Sequence, residues 1–309
     1  MREREFFLPS SDGKTRLRCM EWIPDQEPGA VLQFAHGMIE HVERYREFAE
    51  FLARRGIAVY GHDHLGHGKT VQREEDFGYF GDSRGTECLI KDIRRLTVYG
   101  RRRYPGAKHF LLGHSMGSFL VRRYLSVYED GPDGVILLGT GSPAVLLVMS
   151  GYLMSSLFCC MKGKRFQSRI LYELSLGAYN RNFRPVSSAH DWLTRDTEKS
   201  KQYGEDKYCR FLFTAGAYRD FFEIILKVQR AERKGVIRTQ LPFLVLSGEK
   251  DPVGEETRGV RRVCRRYDKA GADDMTVGFY GGARHEILNE TNRIEVYHDI
   301  FQWIMEHQG

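Results

Sequence analysis

The chain has no internal repeat, no low-complexity tract and no C-x-x-C pair. Its six cysteines, Cys19, Cys88, Cys159, Cys160, Cys209 and Cys264, are scattered apart from one adjacent pair. That spacing excludes a cysteine metal knuckle and a disulfide framework. The opening Met1-Arg2-Glu3-Arg4-Glu5 lacks the apolar run of a signal peptide. A reducing, cytoplasmic setting is therefore expected. No nucleic-acid motif accompanies the formal net charge of +6. The charge gathers at residues 94–103 and 258–266, with apolar residues between the arginines, so two amphipathic helices with solvated basic faces are expected. Nucleic acid is not an expected partner. Weak attraction to an anionic lipid surface stays open.

What is present suits a large folded domain. Over 309 residues, 41% are hydrophobic and 28% charged, which argues against disorder. The length allows one large α/β domain or a domain with a sizeable insertion. Short β-rich runs stand at 30–35, 57–60, 109–112, 135–138, 243–246 and 275–280. Runs at 4–8 and 17–23 flank the turn Ser10-Ser11-Asp12-Gly13 and read as a hairpin. Helical spacing fills the intervals at 45–55, 87–103 and 119–128. Strands alternating with helices predict an α/β fold with a mostly parallel central sheet, covered on both faces by helices. Reactive residues then belong in loops at the carboxyl ends of strands.

The alternation breaks once. From about residue 141 to about 234 the pattern is mainly helical, and strand character returns at 242–246. The expected division is a first core part at 1–141, an inserted helical cap at 142–234 and a second core part at 235–309.

Gly113-His114-Ser115-Met116-Gly117 matches G-x-S-x-G between a strand and an amphipathic helix. A nucleophile on a tight strand-to-helix turn needs neighbours with little side chain, and the turn projects its hydroxyl outward. Gly81-Asp82-Ser83-Arg84-Gly85 repeats the pattern without a clean strand before it, and Asp82 would oppose an emerging alkoxide. Ser115 is the expected nucleophile. His36-Gly37-Met38 ends the run 30–35 and is placed to supply a backbone N–H. The N–H groups of Met38 and Met116 are the expected oxyanion donors. Asp251 follows the strand 243–246, and His285 follows the strand 275–280. Ser115, Asp251 and His285 thus each follow a strand, in that order along the chain. Glu249 and Glu286 are neighbouring carboxylates that compete with Asp251 for the base.

The segments His36-Gly37-Met38-Ile39-Glu40-His41, Asp63-His64-Leu65-Gly66-His67-Gly68, Gly113 to Gly117, Gly248 to Pro252 and Arg284-His285-Glu286 carry a resemblance over nearly the whole chain. Together they resemble the monoglyceride lipase and lysophospholipase branch of the α/β-hydrolases, a group that also holds serine aminopeptidases. Asp191-Trp192-Leu193-Thr194-Arg195-Asp196 in the cap is similar to bacterial members. The resemblance implies that Glu40-His41 and Asp63 to Gly68 scaffold the site rather than react.

The expected chemistry is ester hydrolysis through an acyl-enzyme on Ser115, with His285 as base and Asp251 as its partner. No metal or cofactor is needed. The expected substrate is a small, lipid-derived monoacyl ester. Leu146, Met149, Leu153 and Leu157 of the cap are expected to line its acyl site, and the same apolar face leaves room for peripheral contact with a lipid surface. Residues 134–161 contain no charged residue or histidine and pass a length test for a membrane span. A span there would put Ser115 and the Asp251–His285 pair on opposite sides, so a strand, a turn and an apolar cap helix are expected instead. Two other functions remain compatible with the sequence. An aminopeptidase would use cap carboxylates, Asp191, Asp196, Glu198, Glu205, Asp206, Asp220 or Glu223, to hold an ammonium group. A non-catalytic binding protein would keep the scaffold alone. The oligomeric state is left open.

Overall fold

The computed structural model describes every residue except Ser83, residues 184–187 and the side chain of Asn182. The second G-x-S-x-G match therefore has its serine outside the described residues. Eight strands form one sheet: β1 (Arg2–Pro9), β2 (Arg16–Ile23), β3 (Ala30–Ala35), β4 (Ile57–His62), β5 (Lys108–His114), β6 (Gly134–Leu138), β7 (Phe243–Gly248) and β8 (Met275–Tyr280). Their spatial order is 1-2-4-3-5-6-7-8. β1 and β2 pair antiparallel, β2 pairs antiparallel with β4, and every later pairing is parallel. The 10–13 turn closes the hairpin because the Asp12 carboxylate accepts from the N–H groups of Lys14 and Thr15, both at 2.8 Å.

The described helices are α1 (Arg46–Ala53), α2 (Gly85–Arg103), α3 (Met116–Leu125), α4 (Val145–Lys162), α5 (Arg169–Leu174), α6 (Leu176–Tyr179), α7 (Thr197–Glu205), α8 (Ala215–Arg233), α9 (Arg258–Lys269) and α10 (Arg293–Glu306). The inner strands β3, β4, β6 and β7 are buried along their whole length, as continuous apolar runs in a two-sided sheet should be. Ile93, Leu96, Leu120, Val228 and Val263 cover one face from α2, α3, α8 and α9. Phe48, Leu52, Tyr297, Ile300 and Ile304 cover the other from α1 and α10. Each such side chain contributes about 1.5–3 kcal/mol by leaving water.

Helices α4 to α8 all lie between β6 and β7. Because β6 is hydrogen-bonded between β5 and β7, residues 134–161 do not form one continuous helix. Among the described residues, helix α4 alone is long and apolar enough, by length and composition, to cross a membrane. It packs along α8, with Val148 and Ser155 as its buried residues. Both ends of the intervening segment are tied to α3. Arg122 donates to Thr140 Oγ1 (3.0 Å) and the Gly141 carbonyl (2.8 Å) at the start, and to Glu232 at the end.

Candidate active site

β5 ends at His114 and α3 begins at Met116, leaving Ser115 alone at the corner with φ 52° and ψ −119°. A serine held at positive φ costs about 1–3 kcal/mol and persists only when its surroundings enforce it. Two features do so here. The Ser115 N–H donates to the Leu138 carbonyl of β6 at 3.0 Å. A Cβ on Gly117 would meet the Ala35 carbonyl oxygen at 2.0 Å, so only glycine lets α3 come this close to β3. Ser115 stays partly exposed while its neighbours are buried.

Asp251 lies just past β7, and His285 lies five residues beyond the end of β8. The parallel β7–β8 pairing sets these two loops side by side. Asp251 Oδ1 is 2.9 Å from His285 Nδ1 and also accepts the Val253 N–H at 2.9 Å; both side chains are buried. Hydrogen bonding at Nδ1 leaves His285 Nε2 available, on the wall of the cavity that Ser115 also borders. That nitrogen is buried and has no protein partner. The ring is held between Trp192 and His114, with centroids 5.0 and 5.1 Å away. Of the competing carboxylates, Glu249 is exposed, and Glu286 is occupied by a bidentate contact to Arg44 (2.6 Å to each oxygen).

The loop after β3 turns under a dense polar network. The Gly37 N–H donates to Glu40 Oε1, and the Ile39 N–H donates to His67 Nε2 at 3.3 Å. Between them, the Met38 N–H is donated to no acceptor among the described residues, and neither is the N–H of Met116. Two donors without acceptors among the described residues thus belong to residues that border the same cavity as Ser115.

A group of buried histidines supports the loop. His36 Nε2 accepts the His64 N–H at 3.0 Å, and His64 Nδ1 lies 3.1 Å from His62 Nε2. Burial holds His62 down to about 3 and His67 to about 4, and His67 Nε2 serves as an acceptor. Asp63, also buried, accepts the N–H groups of Val42 and Lys69, both at 2.8 Å. Gly68, at φ 49°, makes room for that carboxylate. The Glu40-His41 and Asp63 to Gly68 segments are thus bound into the loops beneath the site.

Two small cavities border Ser115. One, of about 70 Å³, is lined by Met38, Phe119, Leu176, Tyr179, Phe221 and Val253 among others. The other, of about 20 Å³, is walled by Glu40, His114, Trp192, Tyr203, His285 and Glu286. Leu146, Met149, Leu153 and Leu157 border neither. They sit on the outer side of α4, 77%, 46%, 62% and 57% exposed. The apolar lining comes instead from α3, α6, α8 and the loop after β7. Those residues are remote in sequence, and no single local pattern joins them.

The densest group of potential metal ligands among the described residues is His41, Asp206 and Cys209. His41 Nε2 already holds Asp206 at 2.7 Å, and the Arg44 guanidinium acts on Cys209. A cation there would compete with both.

This sheet order, the serine elbow between β5 and α3, and an acid–histidine pair after β7 and β8 define an α/β-hydrolase. The chain belongs to the serine aminopeptidase S33 hydrolase family, whose pattern it matches over residues 26–292. It is 28% identical over 306 residues to the monoglyceride lipase of Homo sapiens, an alignment covering 97% of this chain and 89% of that protein. It is 27% identical over 307 residues to the monoacylglycerol lipase of Mycolicibacterium smegmatis, covering 96% and 95%. A carboxyl esterase from Bacillus coagulans, solved with glycerol, superposes with a TM-score of 0.91 at 26% identity over the full length of both chains. The monoglyceride lipase of Saccharomyces cerevisiae shares the fold, with a TM-score of 0.78 at 17% identity over 99% and 96%.

Proposed function

We propose that this carboxylic ester hydrolase cleaves monoacyl lipid esters, monoacylglycerols or lysophospholipids, through an acyl-enzyme on Ser115. The observation that carries the reading is an elbow serine that borders both an apolar cavity and the smaller cavity walled by His285, which Asp251 holds through Nδ1. In this reading His285 Nε2 takes the Ser115 proton as the hydroxyl attacks the ester carbonyl. Asp251 fixes the tautomer and stabilises the imidazolium. The N–H groups of Met38 and Met116 hold the oxyanion. His285 returns its proton to the leaving alcohol, and water repeats the cycle on the acyl-enzyme.

Residues 142–234 act as a cap. An acyl chain enters the cavity formed by Phe119, Leu176, Tyr179, Phe221, Ile225 and Val253. That volume of about 70 Å³ admits only a short stretch of chain, so longer chains require α5 and α6 to shift outward. The exposed apolar side of α4 serves as a peripheral docking face toward lipid, not as the pocket wall. The names of the human and mycobacterial relatives favour the same substrate class.

The aminopeptidase alternative fits less well. Asp196 caps α7 and pairs with Arg293, Asp206 holds His41, Asp220 holds Arg219, and Glu223 holds Lys227. The carboxylates that border the cavities are Glu40 and Glu286, and Arg44 already bridges them. Initial rates on soluble acyl esters of increasing chain length, set against amino-acid arylamides, test the proposal. The expected result is kcat/KM rising with chain length; a flat series or a preference for arylamides overturns it. Failure of a fluorophosphonate to label Ser115 would instead favour a binding protein.

A further inference from the structure

Four ionisable groups pack together beside Ser115: the buried Glu40, Glu286 and His114, and Arg44, whose side chain is 10% exposed. Arg44 donates to Glu40 Oε2 at 3.0 Å and holds Glu286 through both oxygens. Two carboxylates against one guanidinium leave a net buried negative charge, which is costly unless paired. His114 is hydrogen-bonded directly to this cluster and can supply a second positive charge. Its Nδ1 sits 3.0 Å from Glu40 Oε1 and 2.9 Å from the Tyr45 hydroxyl. Tyr45 donates its own proton to the same Glu40 oxygen at 2.9 Å. Nδ1 must therefore carry a hydrogen, because a lone pair there would face the lone pairs of both oxygens.

The other ring nitrogen, His114 Nε2, is buried without a partner among the described residues, and His114 lines the cavity shared with Ser115 and His285. The His114 ring packs against the His285 ring, with centroids 5.1 Å apart at 37°. The groups facing His114 are Glu40, Arg44 and Tyr45 from the loop after β3 and the turn before α1, and His285 and Glu286 from the loop after β8. From the cap, Tyr203 stacks over Arg44 at 4.7 Å.

We propose that His114 is a standing imidazolium that completes the charge balance of this cluster and acts as a positioning residue for His285. Its charge opposes a second positive charge on the neighbouring ring and so keeps the base available at lower pH. The direction of the electrostatics agrees. Although burial works against its charge, the Glu40 carboxylate holds the His114 imidazole above its ordinary value, and Glu40 itself is held down to about 2.

The first half of the proposal stands on charge and geometry alone; the second rests on His285 being the base. NMR of the full chain labelled with 15N-histidine, between pH 7 and 8, tests the first half. One imidazolium signature is expected, absent from both His114→Gln and Glu40→Gln; a wild type with only neutral rings overturns it. The pH dependence of kcat/KM on a soluble short-chain ester tests the second. In His114→Gln the acid limb should move to higher pH by about half a unit or more; in Glu40→Gln, which loses a negative charge together with the His114 proton, it should move less. A limb that stays in place while kcat/KM falls uniformly means a purely structural role and overturns the electrostatic one. If His114→Gln does not fold, Glu40→Gln carries the NMR measurement, because it keeps the imidazole and removes the group that holds its proton, and His114→Asn carries the pH profile. A fully active Ser115→Ala would sink the catalytic reading while leaving the NMR result intact, so the two failures are distinguishable.

Discussion

Arg122 and Glu232 form a fully buried ion pair, Nη2 to Oε1 at 2.7 Å, linking the helix after the serine elbow to the last helix before β7. Arg266 approaches the other Glu232 oxygen at 3.1 Å. Glu232→Gln leaves the Arg122 guanidinium buried without its counter-charge and should cost about 3–5 kcal/mol of stability. Replacing the pair together, Arg122→Met with Glu232→Leu, should cost much less, because no lone charge remains buried. Urea unfolding of the three proteins checks this. A Glu232→Gln variant as stable as wild type would show that the pair does not hold the segment down.

Asp251→Asn should lower kcat by roughly four orders of magnitude, because an amide favours the wrong His285 tautomer and cannot stabilise its charged form. Glu249→Gln should stay near wild type, since Glu249 is exposed. Steady-state rates at neutral pH decide the assignment; the reverse pattern moves the acid to Glu249.

Acid should unfold the protein early. Burial lowers His36, His62, His64 and His67, to about 3 for His62 and about 4 for His67. A histidine lowered in the folded state is protonated first in the unfolded chain. Its contribution is therefore intact above the unfolded value near 6.5 and is lost as pH falls toward the folded value. Each contributes a slope of about 1.4 kcal/mol per pH unit in that window. His109, held down to about 4, and His190 add to this uptake of protons on unfolding. His114, raised in the fold, contributes fully below about 6.5 and loses that contribution only as pH rises, so it does not offset the fall. Urea midpoints at pH 8, 6.5 and 5.5 measure it. The first interval should show little change and the second a steep fall; a level profile would mean these histidines are charged or solvated in the folded protein.

A Leu153→Asp, Leu157→Asp double variant should keep kcat/KM on a short soluble ester within about twofold, because both side chains are more than half exposed and border no cavity at Ser115. Its co-flotation with phospholipid vesicles should drop sharply. Equal flotation of both proteins would remove α4 as the docking face.

The sheet was legible because its strands are written as short apolar runs broken by turn residues. Residues 30–35 and 275–280 begin and end where the sequence pattern places them. Ser115, Asp251 and His285 were legible for a related reason: each follows a strand in the chain, and parallel pairing carries strand ends to one edge. The lining of the cavity was not legible. Leu146 and Leu153 have the composition of a pocket wall, but α4 is apolar on nearly every side, so its sequence cannot show which side faces inward. Phe119, Phe221 and Val253 meet only through the fold. The Glu40–Arg44 spacing of four residues was a readable ion-pair signal, yet Glu286 and His114 join it from separate loops.

Helix α4 also governs how the protein behaves in a test tube. Six large hydrocarbon or thioether side chains, Leu146, Leu147, Met149, Leu153, Leu157 and Met161, stand in water on a single helix. Micelles, oil droplets, plastic walls and second copies of the chain all compete to cover it. Specific activity measured at high dilution will therefore depend on the vessel and on added detergent. The first cause to examine is adsorption, ahead of any change at the chemical centre.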